Sequence, residues 1–376
     1  MNRFTSVIGG ARLSPKVQAA IGLAIFLILM AVPYMLSSSL MFRIGAAVCA
    51  ALLALSFNLL LGATGLISFA HGALFALGGY AVGIAMREGH AWPLALLAAV
   101  ALGVVVGAVF SVLALRVSGV YFSIITLATG QIIYIVLLQW SEVTGGDNGL
   151  SGIAPGQVLG INLNSQVTYY WVVVVLAAVA AVALKVIRDS RFGRTLTAIR
   201  EDGVRAAYLG IPVGRYRAIA FTISATFAVF AGALFGPFVG LMVPEDASLM
   251  SSSEPILATL LGGIGNFAGP IVGAGILALL EYFTRDLASL RLIIAGGLLL
   301  LVILVTPGGV TGTAANLARK LRERDGDSSP VPPEDSERSK ENTASPNAGP
   351  GEMSAPSNAN HDNQLTSAYD KGSRHD

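Results

Sequence analysis

Charge is scarce in this sequence. Asp, Glu, Lys and Arg make up 12% of its 376 residues, about half the share found in soluble globular domains, while 54% are hydrophobic and the mean hydropathy is +0.70. That balance excludes a water-soluble fold for most of the chain. Cysteine is nearly absent: Cys49 stands alone inside an apolar run, so there is no intrachain disulfide, and the residue reads as packing. A phosphate-cradling loop is missing, because none of Lys16, Lys185, Lys320, Lys340 and Lys371 follows a glycine. Any ATP hydrolysis must belong to another polypeptide. Midplane carboxylates are missing too. Glu142, Asp147, Glu254 and Glu281 fall at predicted ends or loops, which argues against an ion-coupled secondary transporter. No second His, Cys or acid lies at ligand spacing from His71, and neither metal, cofactor nor nucleic acid is expected.

Apolar runs are what the sequence has in abundance. Measured against the roughly 20 residues of a spanning helix, they give candidates near 17–36, 40–61, 66–86, 93–116, 119–140, 168–188, 218–240 and 291–306, with a ninth, broken segment at 254–283. The first follows Arg3, Arg12 and Lys16, but it exceeds a signal-peptide core and no small-x-small cleavage site follows it. It reads as the first spanning helix. A membrane barrel would alternate, whereas Val172 to Leu184 is unbroken apolar sequence. The expectation is an all-α, polytopic bundle of about 8–10 spanning or re-entrant helices. Residues 1–16 precede it, the membrane domain covers 17–312, and 313–376, rich in Ser, Pro, Asn, Asp and Glu, should be a disordered tail.

The remaining charge is segregated. Between Lys185 and Arg217 lie eight basic residues and three acids, whereas 141–167 holds no Lys or Arg and two acids, Glu142 and Asp147. Cytoplasmic loops carry the excess of Lys and Arg, so 189–217 is read as inside and 141–167 as outside. Six spans before residue 189 then place the N-terminus inside. The basic start of the tail at Arg319, Lys320, Arg322 and Arg324 is also inside only if 254–283 does not cross as a simple span. Within that segment Leu261 to Pro270 combines Gly262, Gly263, Gly265, Asn266 and Gly269 with a proline, all helix breakers. Two half-depth helices entering and leaving one face would fix the parity. Irregular backbone at that depth must be buried in protein or line water, so Gly262, Gly263, Gly265 and Asn266 are pathway candidates.

In the basic loop, Leu196, Ile199 and Arg200 fall at helical spacing, and Ala206, Ala207 and Leu209 form a second short stretch closed by Gly210 and Pro212. Two short amphipathic helices suit a socket on a partner protein, and a basic loop held against anionic lipid headgroups is the alternative. Among intramembrane polar residues, Asn58, Ser68, His71, Ser123, Thr126, Thr129, Gln131, Thr222, Ser224 and Thr226 could face partners or water. Ser and Thr can also bond their own helix, and His71 can be a structural histidine bonded across helices. Ser68 and His71 share a helix face, but nothing supplies an oxyanion hole for a hydrolase. Gly72, Gly78, Gly79 and Gly83 recur at about one-turn intervals and should let helices approach closely. Thr144 to Gly149 forms a turn-rich cluster in the outer loop.

Several stretches together resemble a known family: Leu55 to Gly62, Ser68-Phe69-Ala70-His71-Gly72, Gly119-Val120-Tyr121-Phe122, Thr144 to Leu150, Arg191-Phe192-Gly193-Arg194 through Ala206-Ala207-Tyr208-Leu209-Gly210-Ile211, and Gly262 to Pro270. In order and spacing the chain resembles the branched-chain amino acid permeases of ATP-binding-cassette importers, the LivM and LivH type, most closely the LivM branch. Two departures stand out: Arg205 precedes Ala206-Ala207 where older importer signatures have Glu, and Thr306-Pro307-Gly308-Gly309 lacks an expected basic residue. The resemblance implies a second permease subunit, two cytoplasmic ATPases and an extracytoplasmic binding protein as partners, in a bacterial inner membrane. It assigns ATPase coupling to Phe192, Gly193, Arg194, Ala198, Arg200, Glu201, Ala206, Ala207 and Gly210. Pathway candidates are then Asn58, Ser68, His71, Gly72, Tyr121 and Thr126 with the glycine break. Branched-chain or other small neutral amino acids are the expected solutes, with urea or short amides as the alternative.

Overall fold

Hydrocarbon offers backbone N–H and C=O groups no partner, so each long apolar run closes its hydrogen bonds on itself as helix. A computed structural model describes residues 15–117, 119–158, 160–284, 294, 296–297 and 309–312. The predicted tail, nearly all of the 1–16 segment and most of the 291–306 span lie outside the described residues. The chain divides into Met1–Asp325 and Gly326–Asp376, and every described residue belongs to the first unit.

In chain order the helices are α1 (Pro15–Met35), α2 (Ser38–Thr64), α3 (His71–Arg87), α4 (Trp92–Arg116), α5 (Val120–Gln139), a single turn α6 (Ser141–Thr144), α7 (Gln166–Asp189), α8 (Arg191–Glu201), α9 (Gly203–Tyr208), α10 (Val213–Val239), α11 (Leu249–Gly262) and α12 (Gly269–Thr284). Among the described residues, five helices are long and apolar enough to cross a membrane: Ser38–Thr64, Trp92–Val112, Val120–Gln139, Gln166–Asp189 and Val213–Val239. The chain is a polytopic helical membrane protein. One end of the bundle carries α8 and α9 with their arginines, and is called the basic end below. The other carries four two-residue strands: β1 (Leu150–Ser151), β2 (Gln157–Val158), β3 (Ile161–Asn162) and β4 (Leu241–Met242). Strands β1 and β4 pair antiparallel with Leu150 opposite Met242, and β2 pairs with β3.

Helix α10 sits at the centre against α2, α3 and α4, and small residues set the spacing. Gly232 abuts the backbone of Phe75, and Gly78 that of Val229; a Cβ on Gly236 would stand 3.1 Å from the Cα of Gly79. Of the predicted glycines, Gly78 and Gly79 lie where α3 meets α10, without a Cβ to hold the backbones apart, whereas Gly72 abuts the first turn of α11 and Gly83 the Leu150 and Ile153 side chains. Gly103 and Gly107 do the same for α4, where an added Cβ would lie 3.0 Å from Val229 and from Ala225. Phe122 and Phe221 meet edge to face at 5.7 Å, and Cys49 is fully buried as packing. At the periphery Trp92 Nε1 donates to Tyr169 Oη at 3.1 Å, and Tyr170 Oη donates to the Leu29 carbonyl of α1 at 2.9 Å.

Two predicted spans differ in form. The run 66–86 is not helical throughout: α2 ends at Thr64, Gly65 adopts the left-handed conformation with its N–H on Leu61, and α3 begins only at His71. Residues 65–70 are non-helical, yet Leu66, Ser68 and Ala70 are buried. Side chains take over the helix's role there. Thr64 Oγ1 accepts from Leu66 N, Thr126 Oγ1 from Phe69 N and Ser68 Oγ from Ala70 N, while Ser123 Oγ donates to the Ile67 carbonyl.

The broken segment is a hairpin, as its glycines predict, but its arms are not half-depth. Arg43, in the second turn of α2, lies over the ring of Tyr282 near the end of α12, whereas the 263–268 tip meets Asn58 and Gly62 near the other end of α2. Helix α12, 16 residues and about 24 Å long, therefore reaches from the tip to the second turn of α2. Gly273 abuts the Ala258 backbone and Gly262 that of Gly269, which lets α11 and α12 lie in contact down to the tip. Gly263 and Gly265 turn the chain at positive φ, 114° and 81°. Beyond α12, Thr311 Oγ1 donates to the Gly262 carbonyl at 2.5 Å. Residues 284 and 311 thus stand at opposite ends of the bundle, as the parity argument requires.

Candidate functional site

The coupling candidates and all the pathway candidates but Tyr121 gather into three places, while Thr222 and Thr226 bond only their own helix. The first is the start of α3. Ser224 lies eleven residues into α10 and Ser56 eight residues from the end of α2, so at 1.5 Å per residue both are about 12–16 Å from the basic end. That is near the middle of a hydrocarbon core about 30 Å thick. At this depth Ser224 Oγ donates to the Ser56 carbonyl at 2.6 Å and contacts His71 Nε2 at 2.8 Å. A carbonyl has no proton to give, so the serine proton is committed to it and the histidine must donate from Nε2. Nδ1 is buried and has no hydrogen-bond partner among the described residues. Phe57 meets the imidazole edge to face at 5.1 Å. Gly72 N donates to Ser252 Oγ in the first turn of α11 at 3.1 Å, and a side chain at Gly72 would strike that turn. Ser68 and Thr126 hold the non-helical segment just before it.

The second place is the hairpin tip. Asn58 is 4% exposed; its Nδ2 donates to the Asn266 carbonyl at 3.0 Å and its Oδ1 accepts from Gly265 N at 3.3 Å. Only one orientation of the amide satisfies both. Gly62 leaves room for it, since a Cβ there would stand 2.6 Å from Asn58 Oδ1. From the loop side, Arg200 Nη1 donates to the Gly62 carbonyl at 2.5 Å, and Arg188 Nη2 donates to the Gly265 carbonyl. Arg188 is a residue that sequence reasoning counted for charge but did not single out. Its partner lies 77 residues away, and no local signal connects them.

The third place is the loop itself, two helices as predicted. Ser190 caps α8 by accepting from Gly193 N, and Asp202 caps α9 by accepting from Arg205 N at 2.9 Å. Gly193, Leu196 and Ile199 form the buried face of α8. Leu196 clusters with Ala63 and Ala220, and Phe192 stacks on Tyr216 at 5.6 Å, fixing the loop to α2 and α10. Any Cβ on Gly193 would enter the Arg188 backbone. Gly210, at φ 82°, ends α9 with its N–H on the Ala207 carbonyl. Ala206 is buried, while Arg194, Ala198, Glu201 and Ala207 face outward. Beside them Val204, Tyr208 and Leu209 are 68%, 89% and 77% exposed, an apolar patch one helical turn long at the charged end of the bundle. Tyr121, 74% exposed on α5, joins none of these clusters.

At the strand end the loop between α10 and α11 holds Asp246. Its Oδ2 accepts from Val243 N at 3.1 Å, yet burial raises its carboxyl above the ordinary 3.8, with Val243 opposing and Glu245 adding to the rise. Among the described residues no group of three His, Cys, Asp or Glu could hold a metal ion.

Comparison with known proteins agrees with this architecture. The family model described as the permease component of the branched-chain amino acid transport system matches residues 39–304. The high-affinity branched-chain amino acid transport system permease protein LivM of Salmonella typhimurium is 29% identical over 316 residues, covering 77% of this chain and 73% of its own. The corresponding LivH of Escherichia coli K12 is 32% identical, covering 70% and 91%. A more distant relative is the autoinducer 2 import system permease protein LsrC of an Enterobacter species, 28% identical over 54% of this chain and 58% of its own. No solved structure matches the chain.

Proposed function

Because the chain belongs to the family of permease components of the branched-chain amino acid transport system, we propose that it forms part of the translocation pathway of an ATP-driven importer, with α8 and α9 docking an ATPase. The observation that carries the docking reading is the exposed Val204, Tyr208 and Leu209 patch on a loop that is capped twice and packed into the bundle. Apolar side chains at a charged end gain most from a cleft on a partner, and a loop that cannot flex hands its displacement to the helices beneath it, as rigid-body rocking requires. The chain is a transport subunit and not an enzyme, as its relatives are. Its partners are a second permease of the same kind, two ATPases bound at the basic end and a binding protein at the strand end.

The excess of Lys and Arg between 185 and 217 supports a cytoplasmic basic end in a bacterial inner membrane. The solute is a branched-chain or other small neutral amino acid. Its route passes the start of α3, where non-helical backbone reaches membrane depth and lining water is the alternative to burial, and the hairpin tip at the basic end. Detergent co-purification of the tagged chain with the products of its neighbouring genes tests the reading. An ATPase should be recovered with the wild type and lost with Tyr208→Glu or Leu209→Glu. Uptake of labelled leucine by the reconstituted complex should require ATP. Transport by the chain alone without ATP would end the proposal.

A further inference from the structure

Two donors, Arg188 and Asn58, hold the hairpin tip, and a third, Arg200, holds the α2 carbonyl beside it. Arg188, at the end of α7, donates to the Gly265 carbonyl. Arg200, at the end of α8, donates to the Gly62 carbonyl of α2, and its Nη1 lies only 3.5 Å from where a Cβ of Gly265 would stand. Asn58, one turn earlier on α2, holds Gly265 N and the Asn266 carbonyl. The Asn58 attachment of the tip to α2 thus lies between the two guanidiniums, Arg188 on Gly265 and Arg200 on Gly62. Helices α8 and α7 are joined through Ser190, whose Oγ donates to Ile187 and accepts from Gly193 N, so the two arginines move with one rigid corner.

We propose that Arg188 and Arg200 are positioning residues for transport: they tie the hairpin tip to the docking loop, so that displacement of the loop by the ATPase draws the tip along α2. This rests on the docking reading above and adds the route by which docking reaches the membrane interior. Two carbonyls could be satisfied by water at this end of the bundle. What water cannot supply is a link through one corner, in which Arg200 holds the Gly62 carbonyl near the α2 terminus and Arg188 holds the Gly265 carbonyl of the tip. The partial negative charge at the C-terminal end of α2 favours Arg200 there; the Arg188 bond to the Gly265 carbonyl is what a helix cap does not explain.

The test uses the reconstituted complex with Arg188→Gln, Arg200→Gln, the double variant, Arg200→Lys and Arg215→Gln, an exposed arginine of α10 outside these contacts, as control. Arg188→Gln, which lies outside the coupling residues, should retain the ATPase at the wild-type ratio and hydrolyse ATP within about twofold of wild type. It should move at least tenfold less solute per ATP, with Arg200→Lys between the extremes. In the isolated chain, amide exchange over 262–268 should quicken in the double variant and not in Arg215→Gln. A merely structural pair would lower assembly, hydrolysis and transport together, and that result overturns the proposal, as does an unchanged solute-to-ATP ratio. Absence of an ATPase from the wild-type complex overturns the docking reading; quickened exchange at the tip would then still report the tie, while its transport role would fall.

Discussion

Asn58→Leu tests the hairpin anchor with little change of side-chain volume. The substitution removes both bonds from α2 to the tip, the 3.0 Å bond to the Asn266 carbonyl and the 3.3 Å bond from Gly265 N. Interhelical side-chain bonds in membranes average about 0.6 kcal/mol and reach about 1.7, so two of them amount to about 1–3 kcal/mol. A change of about 2 kcal/mol multiplies the open population of the tip by about 30, since each 1.4 kcal/mol is a factor of ten. Hydrogen–deuterium exchange of the purified chain reads this directly, because exchange through local opening follows the open population. Peptides covering 262–268 should exchange about 30-fold faster, while those from α4 and the centre of α10, which touch neither bond, keep their rates. Unchanged exchange at the tip would refute the anchor. Equal acceleration everywhere would show instead that Asn58 acts through global stability.

Gly232→Leu should lower the thermal midpoint in detergent by driving a side chain into the Phe75 backbone, an overpacking cost of about 1–3 kcal/mol or more; Gly22→Leu, with open space around it, should not. Ser224→Ala removes the acceptor of His71 Nε2 and the donor to Ser56 and should cost about 1–3 kcal/mol. Ser111→Ala, which loses only a bond to its own helix, should cost far less, and equal thermal shifts would contradict the network. Asp246→Asn should abolish a pH slope. The raised folded-state value means the folded chain holds that proton more tightly than the unfolded one, so wild-type stability declines as pH rises from 3.8 through the raised value. The amide oxygen can still accept from Val243, and the variant should be level across that window and at least as stable above it. A persisting slope would locate the titration elsewhere.

What the sequence revealed depended on whether a signal was local. The hairpin between α11 and α12 was legible because Gly262, Gly263, Gly265 and Pro270 break a helix whatever surrounds them, and α8 and α9 because caps and apolar spacing lie within a few residues. The glycine stripe of α3 was legible for the same reason. The interruption at 65–70 was hidden: Leu66 to Ala70 are apolar or small, and hydropathy reads the same whether such residues are helical or extended. What makes the non-helical form tolerable comes from Ser123 and Thr126 of α5, more than fifty residues away. Arg188 and Arg200 were readable as charge, but their acceptors lie 77 and 138 residues distant. Tyr121 carried a motif resemblance and nothing else, and in the single chain its ring faces outward from α5.

The two interruptions meet on one turn of α2. The Ser56 carbonyl takes Ser224, the Phe57 ring meets His71, and Asn58 holds the hairpin tip. Successive residues on a helix point about 100° apart, so three neighbours address three different elements at nearly the same depth. Buried anchors with few alternative partners tend to switch between discrete arrangements and do not deform gradually. A shift of α2 along its axis by one turn would therefore exchange all three contacts together. One helix thus touches the start of α3, α10 and the hairpin tip within three residues, and a turn later its Gly62 carbonyl takes Arg200 of α8.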